Sequence, residues 1–280
     1  MHVFLTGATG YIGSSVLTAL IDHGHRATAA VRSEDKAAAV GSRGATGVVA
    51  DFQDGAAIAE LMRGADGVIH LASDGDDAEG FDRRVAQAAI DALGGTGKPY
   101  VHTGGVWIYG AGDAIEETDP MDPPALTAWR PGVIALLEAA DLPLTVVHPG
   151  IVYGHGAGIS TMVSDGAKDD SGRTVLVGDG RQHWTTIHVD DLAELYVAVL
   201  EAGSGFDSVL GVSGDNPTVA EIAGASGAET VPEDRATTRE RLGEAFAEAL
   251  LLDQQAAGDK ARSIGGWRPT RPSLVEELRG

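Results

Sequence analysis

Eight residues near the start of the chain, Thr6-Gly7-Ala8-Thr9-Gly10-Tyr11-Ile12-Gly13, carry its clearest chemistry. An apolar run at residues 2–6 precedes the glycines and a helix-like segment follows, so the stretch reads as a strand, a glycine turn and a helix start. Such a turn lets backbone approach a pyrophosphate closely and aims the positive end of a helix at its charge. Gly7, Thr9, Gly10, Tyr11, Ile12 and Gly13 are therefore candidate dinucleotide contacts. The second strand ends in Ala30-Val31-Arg32-Ser33, without the acid that NAD sites carry about twenty residues past the glycines. Arg32 offers the planar fork that matches a 2′-phosphate, which favours NADP(H) over NAD(H); a solvated arginine is the alternative.

Groups able to move a proton or shape a cleft lie farther along. Thr103 ends a predicted strand, and His102 and His148 read as structural residues of inner strands, whereas His155 and His183 fall in loops expected to meet substrate. Histidine alone titrates near neutrality without perturbation. Trp107, Trp129 and Trp184 fall in segments expected to wall a substrate cleft, which suggests an apolar or aromatic ligand, or else packing of a cap. His70, His188 and Asp190 read as structural. No set of His, Asp and Glu shows metal-ligand spacing, and no cysteine is present, so neither a metal site nor a disulfide is expected.

These residues need a scaffold, and the pattern supplies one. Short apolar strands at 2–6, 26–31, 46–50, 67–72, 99–103 and 144–148 alternate with helices at 14–21, 34–40, 54–62, 81–93 and 132–140. Continuous apolar strands are buried on both faces, which predicts an α/β fold with a doubly wound parallel Rossmann sheet. Residues 104–131 read as a long loop over the C-terminal edge of the sheet. Beyond Pro149 the rhythm breaks into strands near 174–177, 185–189 and 208–212 and helices at 191–200, 219–225, 237–252 and 274–278. We expect a cofactor-binding core over 1–150, and over 151–280 the remaining sheet elements and a small substrate-covering lobe.

With 41 acidic and 20 basic side chains the formal charge is -21, which opposes nucleic acid and anionic membranes as partners. A small-molecule substrate is the expected partner, as monomer or homodimer. No signal peptide or spanning segment is apparent, so a cytoplasmic location is expected.

The ordered motifs resemble the atypical and extended short-chain dehydrogenases/reductases of the NAD-dependent epimerase/dehydratase family. They are T-G-A-T-G-Y-I-G at 6–13, Asp51-Phe52, V-I-H-L-A at 68–72, I-Y-G at 108–110, H-P-G-I-V-Y-G at 148–154, G-D-G-R at 178–181, I-H-V-D-D-L-A at 187–193 and G-W-R-P at 266–269. The resemblance implies that Asp51 and Phe52 flank the adenine, that Leu71, Ala72 and Ser73 line the central trough, and that Pro149 and Gly150 pass the nicotinamide. Asp51 has a turn or helix cap as its competing role. Tyr109 and Tyr153 belong to Tyr-Gly turns that the family uses for packing.

The family's catalytic set of Tyr-x-x-x-Lys and a Ser or Thr is missing. Residues four past Tyr11, Tyr100, Tyr109, Tyr153 and Tyr196 are Ser15, Gly104, Asp113, Ala157 and Leu200. Trp129 or Arg130 stands at the tyrosine's place, Val133 or Ile134 at the lysine's, and Gly105 at the serine's. Arg130 can hold a ribose or polarise a carbonyl but cannot donate a proton near neutrality. Thr103, Tyr109 and Arg130 remain the catalytic candidates, and Trp107, Trp129, Tyr153, His155 and His183 the substrate candidates. An NADP(H)-dependent reductase or dehydrogenase of a small apolar or aromatic metabolite is the leading expectation. A non-redox isomerase, cyclase or dehydratase, and an NADP(H)-sensing regulator, are the alternatives.

Overall fold

A computed structural model describes residues 1–203 and 205–280. In chain order its strands are β1 (His2–Thr6), β2 (Arg26–Val31), β3 (Thr46–Val49), β4 (Gly67–His70), β5 (Tyr100–Thr103), β6 (Leu144–Pro149), β7 (Ile151–Gly154), β8 (Ala157–Gly158), β9 (Thr174–Val175), β10 (Thr186–His188), β11 (Asp207–Gly211) and β12 (Thr230–Val231). The helices are α1 (Tyr11–Asp22), α2 (Glu34–Gly41), α3 (Gly55–Arg63), α4 (Ala78–Leu93), α5 (Arg130–Glu138), α6 (Thr161–Ser164), α7 (Val189–Ala202), α8 (Val219–Gly224), α9 (Arg235–Leu242), α10 (Glu244–Leu250), α11 (Asp259–Arg262) and α12 (Leu274–Arg279).

Seven strands form a parallel sheet in the order β11-β6-β5-β4-β1-β2-β3. The chain leaves β1 toward β2 on one side and later returns to β4 on the other, so the crevice expected at a strand-order reversal opens at the C-terminal ends of β1 and β4. One face buries Phe4 and Val68 against α3, α4 and α5; the other buries Val3, Leu5 and Ile69 against α1 and α7. Side chains on both faces of β1 are thus removed from water, as its unbroken apolar run requires.

Short polar caps start the helices that follow the strands. Ser33, Asp54 and Asp77 accept backbone N–H groups of Lys36, Ala57 and Gly80. Residues expected as one helix over 237–252 instead form α9 and α10, because Gly243 at φ +82° breaks the run. The segment expected as a loop contains 3-10 turns at Val106–Tyr109 and Ala125–Thr127. Buried Gln254 anchors it by donating to the Val106 carbonyl (3.0 Å) and the Gly110 carbonyl (2.5 Å).

Past residue 150 the chain divides its contributions. β11 pairs with β6 at the sheet edge and α7 packs against α1, whereas β7, α6, α8 and α10 enclose a separate apolar cluster around Tyr153, Trp184 and Leu250. Buried Asp191 on α7 holds the C-terminal segment, accepting from the Thr270 N–H (3.0 Å), the Thr270 hydroxyl (3.1 Å) and the Arg271 N–H (3.0 Å). Among the described residues no helix is long and apolar enough to cross a membrane.

Candidate active site

The glycine turn is built for close approach. Gly7 lies at φ +77°, and a Cβ there would sit 2.7 Å from the Ala72 nitrogen. A Cβ on Gly13 would sit 2.0 Å from the Gly7 carbonyl oxygen, so both positions require glycine. Gly10 caps α1 without a side-chain hydrogen bond, and no acid stands in the first turn. The leading amides of α1 are therefore left for an external anion, which is what a pyrophosphate needs. Thr9 and Gly10 are exposed at this turn. The Tyr11 hydroxyl points between the carbonyl oxygens of Gly154 (2.9 Å) and Ala157 (3.2 Å), tying the turn to the second lobe.

At the far end of the crevice a cavity of about 380 Å³ is lined by Arg32, Asp51, Phe52, Gln53, Asp74 and Phe81. Asp51 accepts the Gln53 N–H at 2.9 Å, so it serves as a turn cap while also lining this cavity. Arg32 is half exposed, stands 5.8 Å from the Phe81 ring centre and pairs loosely with Asp74 at 3.5 Å.

Beneath the crevice runs a buried polar network. Thr6 Oγ1 accepts the N–H groups of Leu71 and Ala72, each at 3.2 Å, which leaves its own proton for His70 Nδ1 at 2.7 Å. His70 therefore carries its proton on Nε2 and donates to Asp82 Oδ1 at 2.8 Å. His102 Nε2 stands 3.3 Å from Asp82 Oδ2, too oblique for a full hydrogen bond, while Tyr100 bonds its Nδ1 at 3.2 Å. Burial by itself raises the Asp82 carboxyl, but His102 and His70 outweigh it and hold the group well below the carboxylate range. His148 accepts the Gly105 N–H on Nδ1 and meets Ser208 through Nε2; burial, then His102 and Arg130, press its pKa down to about 3. The ligand-type atoms of His70, Asp82 and His102 all lie within 4.8 Å of one another, a set that chain spacing does not reveal. A cation there would have to displace the Nε2 proton that His70 now gives to Asp82, so the set reads as a hydrogen-bonded one.

A second, apolar cavity of about 440 Å³ opens where the ends of β5 and β6 meet the loop before α5. Thr103, Trp107, Trp129 and Arg130 line it together with Ile12, Ser73, Pro149 and Gly150. The Thr103 hydroxyl is engaged on both sides, donating to the His70 carbonyl at 2.6 Å and meeting the Tyr196 hydroxyl at 2.8 Å. Arg130 stacks 4.6 Å over the Trp129 ring and donates to the Thr103 carbonyl at 3.1 Å. Burial lowers its guanidinium pKa, an effect that the charge on Asp82 partly offsets.

Several expected site residues lie elsewhere. Tyr109 is buried edge-on against His148 and does not line the cavity, because the tight 3-10 turn rotates its ring into the core; burial pushes its phenol up to about 12. Tyr153 is buried in the second lobe, its hydroxyl bonded to the Pro272 carbonyl at 2.7 Å. His155 pairs with Asp190 at 2.8 Å on a separate, outer cavity, and His183 pairs with Asp253 at 2.9 Å. Trp184 donates to the Leu250 carbonyl inside the second lobe, so two of the three indoles expected at the cleft reach it. Asp82 and Thr127 were not singled out in the sequence. An acid at position 82, between Phe81 and Val85 on the buried stripe of α4, is the signal that could have found the first; Thr127 has none.

Comparisons with known proteins agree with this geometry. Residues 3–211 match the sequence model of the NAD dependent epimerase/dehydratase family. A 3-diazoavenalumate denitrifying reductase from Streptomyces sp. is 27% identical, covering 99% of both chains. Human epimerase family protein SDR39U1, solved with NADPH, superposes with a TM-score of 0.74 at 20% identity, over 100% of this chain and 98% of that one. UDP-glucose 4-epimerase from Thermus thermophilus, solved with NAD, gives a TM-score of 0.72 at 19% identity, over 100% and 99%. At such identities the two structures establish the fold alone. The length and position of the family match carry the assignment: the chain belongs to the NAD dependent epimerase/dehydratase family.

Proposed function

We propose that the protein is an NADP(H)-dependent oxidoreductase acting on a small apolar or aromatic carbonyl or hydroxyl compound. The observation that carries this reading is the apolar cavity, in which Trp107 and Trp129 face Thr103, Pro149 and Gly150, the segments expected beside the nicotinamide. When bound, the nicotinamide supplies hydride to an electrophilic carbon. The chain's own part is to hold the dinucleotide at the uncapped start of α1, to exclude water with the indoles, and to present the Arg130 guanidinium to the substrate's oxygen. Arg32, on the cavity with Phe52, is the group proposed to select the 2′-phosphate. The relatives' names give mixed support on that point, one structure holding NADPH and another NAD.

None of the chain's nine histidines lines the cavity, which supports the redox reading over the non-redox alternative. The test is substrate-dependent loss of nicotinamide absorbance across aromatic aldehydes, ketones and enones. Consumption of NADPH supports the reading; silence across the panel, with NADPH bound by calorimetry, overturns it.

A further inference from the structure

Four glycines line the apolar cavity, and the fold requires three of them. A Cβ on Gly104 would collide with the His148 ring, and one on Gly150 would sit 2.5 Å from the Thr185 carbonyl oxygen. Gly158 lies at φ +100° with the Val152 carbonyl oxygen against it. Gly105 is different. Its backbone is extended, at φ 170° and ψ 143°, and beyond its chain neighbours a Cβ there would meet no atom within 4 Å among the described residues. Side chains alternate across extended backbone, so with position 104 turned toward His148, position 105 turns away from the core and toward the cavity that it lines. Gly105 also precedes the 3-10 turn Val106–Tyr109 without capping it, a service that serine would add. Neither backbone conformation nor packing accounts for a glycine at this place.

We propose that Gly105 is a specificity residue whose missing side chain leaves room for a second bulky group on the substrate, so that the site takes ketones with large groups on both sides, and the matching secondary alcohols, in place of aldehydes. The substrate class rests on the oxidoreductase reading above. Two fixed features set the frame. Arg130 donates to the Thr103 carbonyl at 3.1 Å, which keeps its guanidinium beside the segment that carries Gly105, and Trp107 and Trp129 give the cavity two flat apolar surfaces. A carbonyl compound whose oxygen meets Arg130 lays one aryl group on an indole. The gap at Gly105 then receives the group on the other side of the reacting carbon. An aldehyde has only hydrogen to put there and leaves the gap to water. A ketone fills it and gains the burial, about fourfold in affinity for each methylene. A side chain at 105 would compete for the same space and remove the difference.

Calorimetry on the NADP⁺ complex with benzophenone, which carries a ring on each side of its carbonyl, and with benzaldehyde, which carries one, tests the gap without turnover. The wild-type protein should bind benzophenone at least about tenfold tighter. Gly105→Val should weaken benzophenone by about tenfold or more, as overpacking does, while benzaldehyde affinity stays within about twofold. Gly105→Ala should show the same split in smaller measure. Both variants should match or exceed the wild-type unfolding temperature, because an extended position with open space gains from restricting the unfolded chain. Equal binding of the two compounds by the wild type, an equal loss of both in the variants, or unchanged benzophenone affinity in Gly105→Val would each overturn the proposal. So would a lowered unfolding temperature in Gly105→Ala, which returns the glycine to the fold, or a loss of NADP⁺ affinity in either variant, which assigns the position to the cofactor. The expected split in binding, with no NADPH consumed on any aryl ketone, overturns the oxidoreductase reading but supports the gap at Gly105.

Discussion

Two polar clusters lie along the same edge of the sheet and differ in how far the fold itself completes them. Below the crevice, Thr6, His70 and Asp82 pass hydrogen bonds from strand to strand to helix, with the peptide N–H groups of Leu71 and Ala72 fixing the direction. In the cavity wall, Thr127 has no partner and Arg130 no acid among the described residues. The first cluster reads as a structural element, because the chain matches its buried polar atoms, Asp82 Oδ2 being the exception. The second leaves the half-buried Arg130 guanidinium at the cavity, bonded to a carbonyl and stacked on an indole. The contrast separates Thr103 from Thr127, two threonines on one cavity, one committed and the other free.

The contrast is sharpest at Arg130. Arg130→Met should lower kcat/KM for any reduced aromatic acceptor by roughly 10²–10³ while NADPH affinity stays nearly unchanged, because the guanidinium serves the oxygen where charge develops. Arg130→Lys should recover only part of that loss, since an ammonium lacks the planar fork. Steady-state kinetics beside NADPH titration reads both, and full activity in the Met variant would erase the distinction between the clusters.

The closed cluster should respond in stability. Asp82→Asn places an amide where the carboxylate now accepts from His70, and should cost about 1–3 kcal/mol in denaturant unfolding. The pH dependence has a definite sign. Asp82 is held below its ordinary range in the folded state, so its contribution is complete above the unfolded value of about 4 and is lost progressively as pH falls below it. His148, pressed down to about 3, acts in the same direction over a higher window, because the unfolded chain takes up that proton near pH 6.5, as is usual for histidine, before the folded chain does. Stability should therefore decline from about pH 6.5 toward pH 3. Asp82→Asn should flatten the lower part of that decline and leave the upper part in place. An unchanged acid limb in the variant would mean that Asp82 is not the buried carboxylate the network implies.

The smallest effect belongs to the exposed Arg32, which is neither closed nor open but shared with Asp74 at 3.5 Å. Arg32→Ala should reduce the preference for NADP over NAD by about tenfold. Asp74→Asn should raise it severalfold by freeing the guanidinium. Paired affinity titrations check both, and an unmoved ratio would assign cofactor choice elsewhere.

What the sequence determined by itself is what short-range physics encodes. The glycine turn, the unbroken apolar strands and the caps at Ser33, Asp54 and Asp77 each depend on a few neighbouring residues, and so the α/β sheet and the crevice beside Gly7 were legible. The absence of Tyr-x-x-x-Lys was equally plain. The errors came where a side chain's partner lies far away. His183 and His155 stand in loops, as expected, yet turn to Asp253 and Asp190, and Trp184 enters the second lobe to reach Leu250. Thr103 ends a predicted strand and Thr127 falls in a loop, but neither position tells whether the hydroxyl finds a partner. Tertiary structure alone distinguishes them, because it brings Tyr196, 93 residues downstream, against the first and none of the described residues into hydrogen-bond reach of the second. A hydrogen bond is satisfied or left open by where distant backbone comes to rest, and no local pattern of residues carries that information.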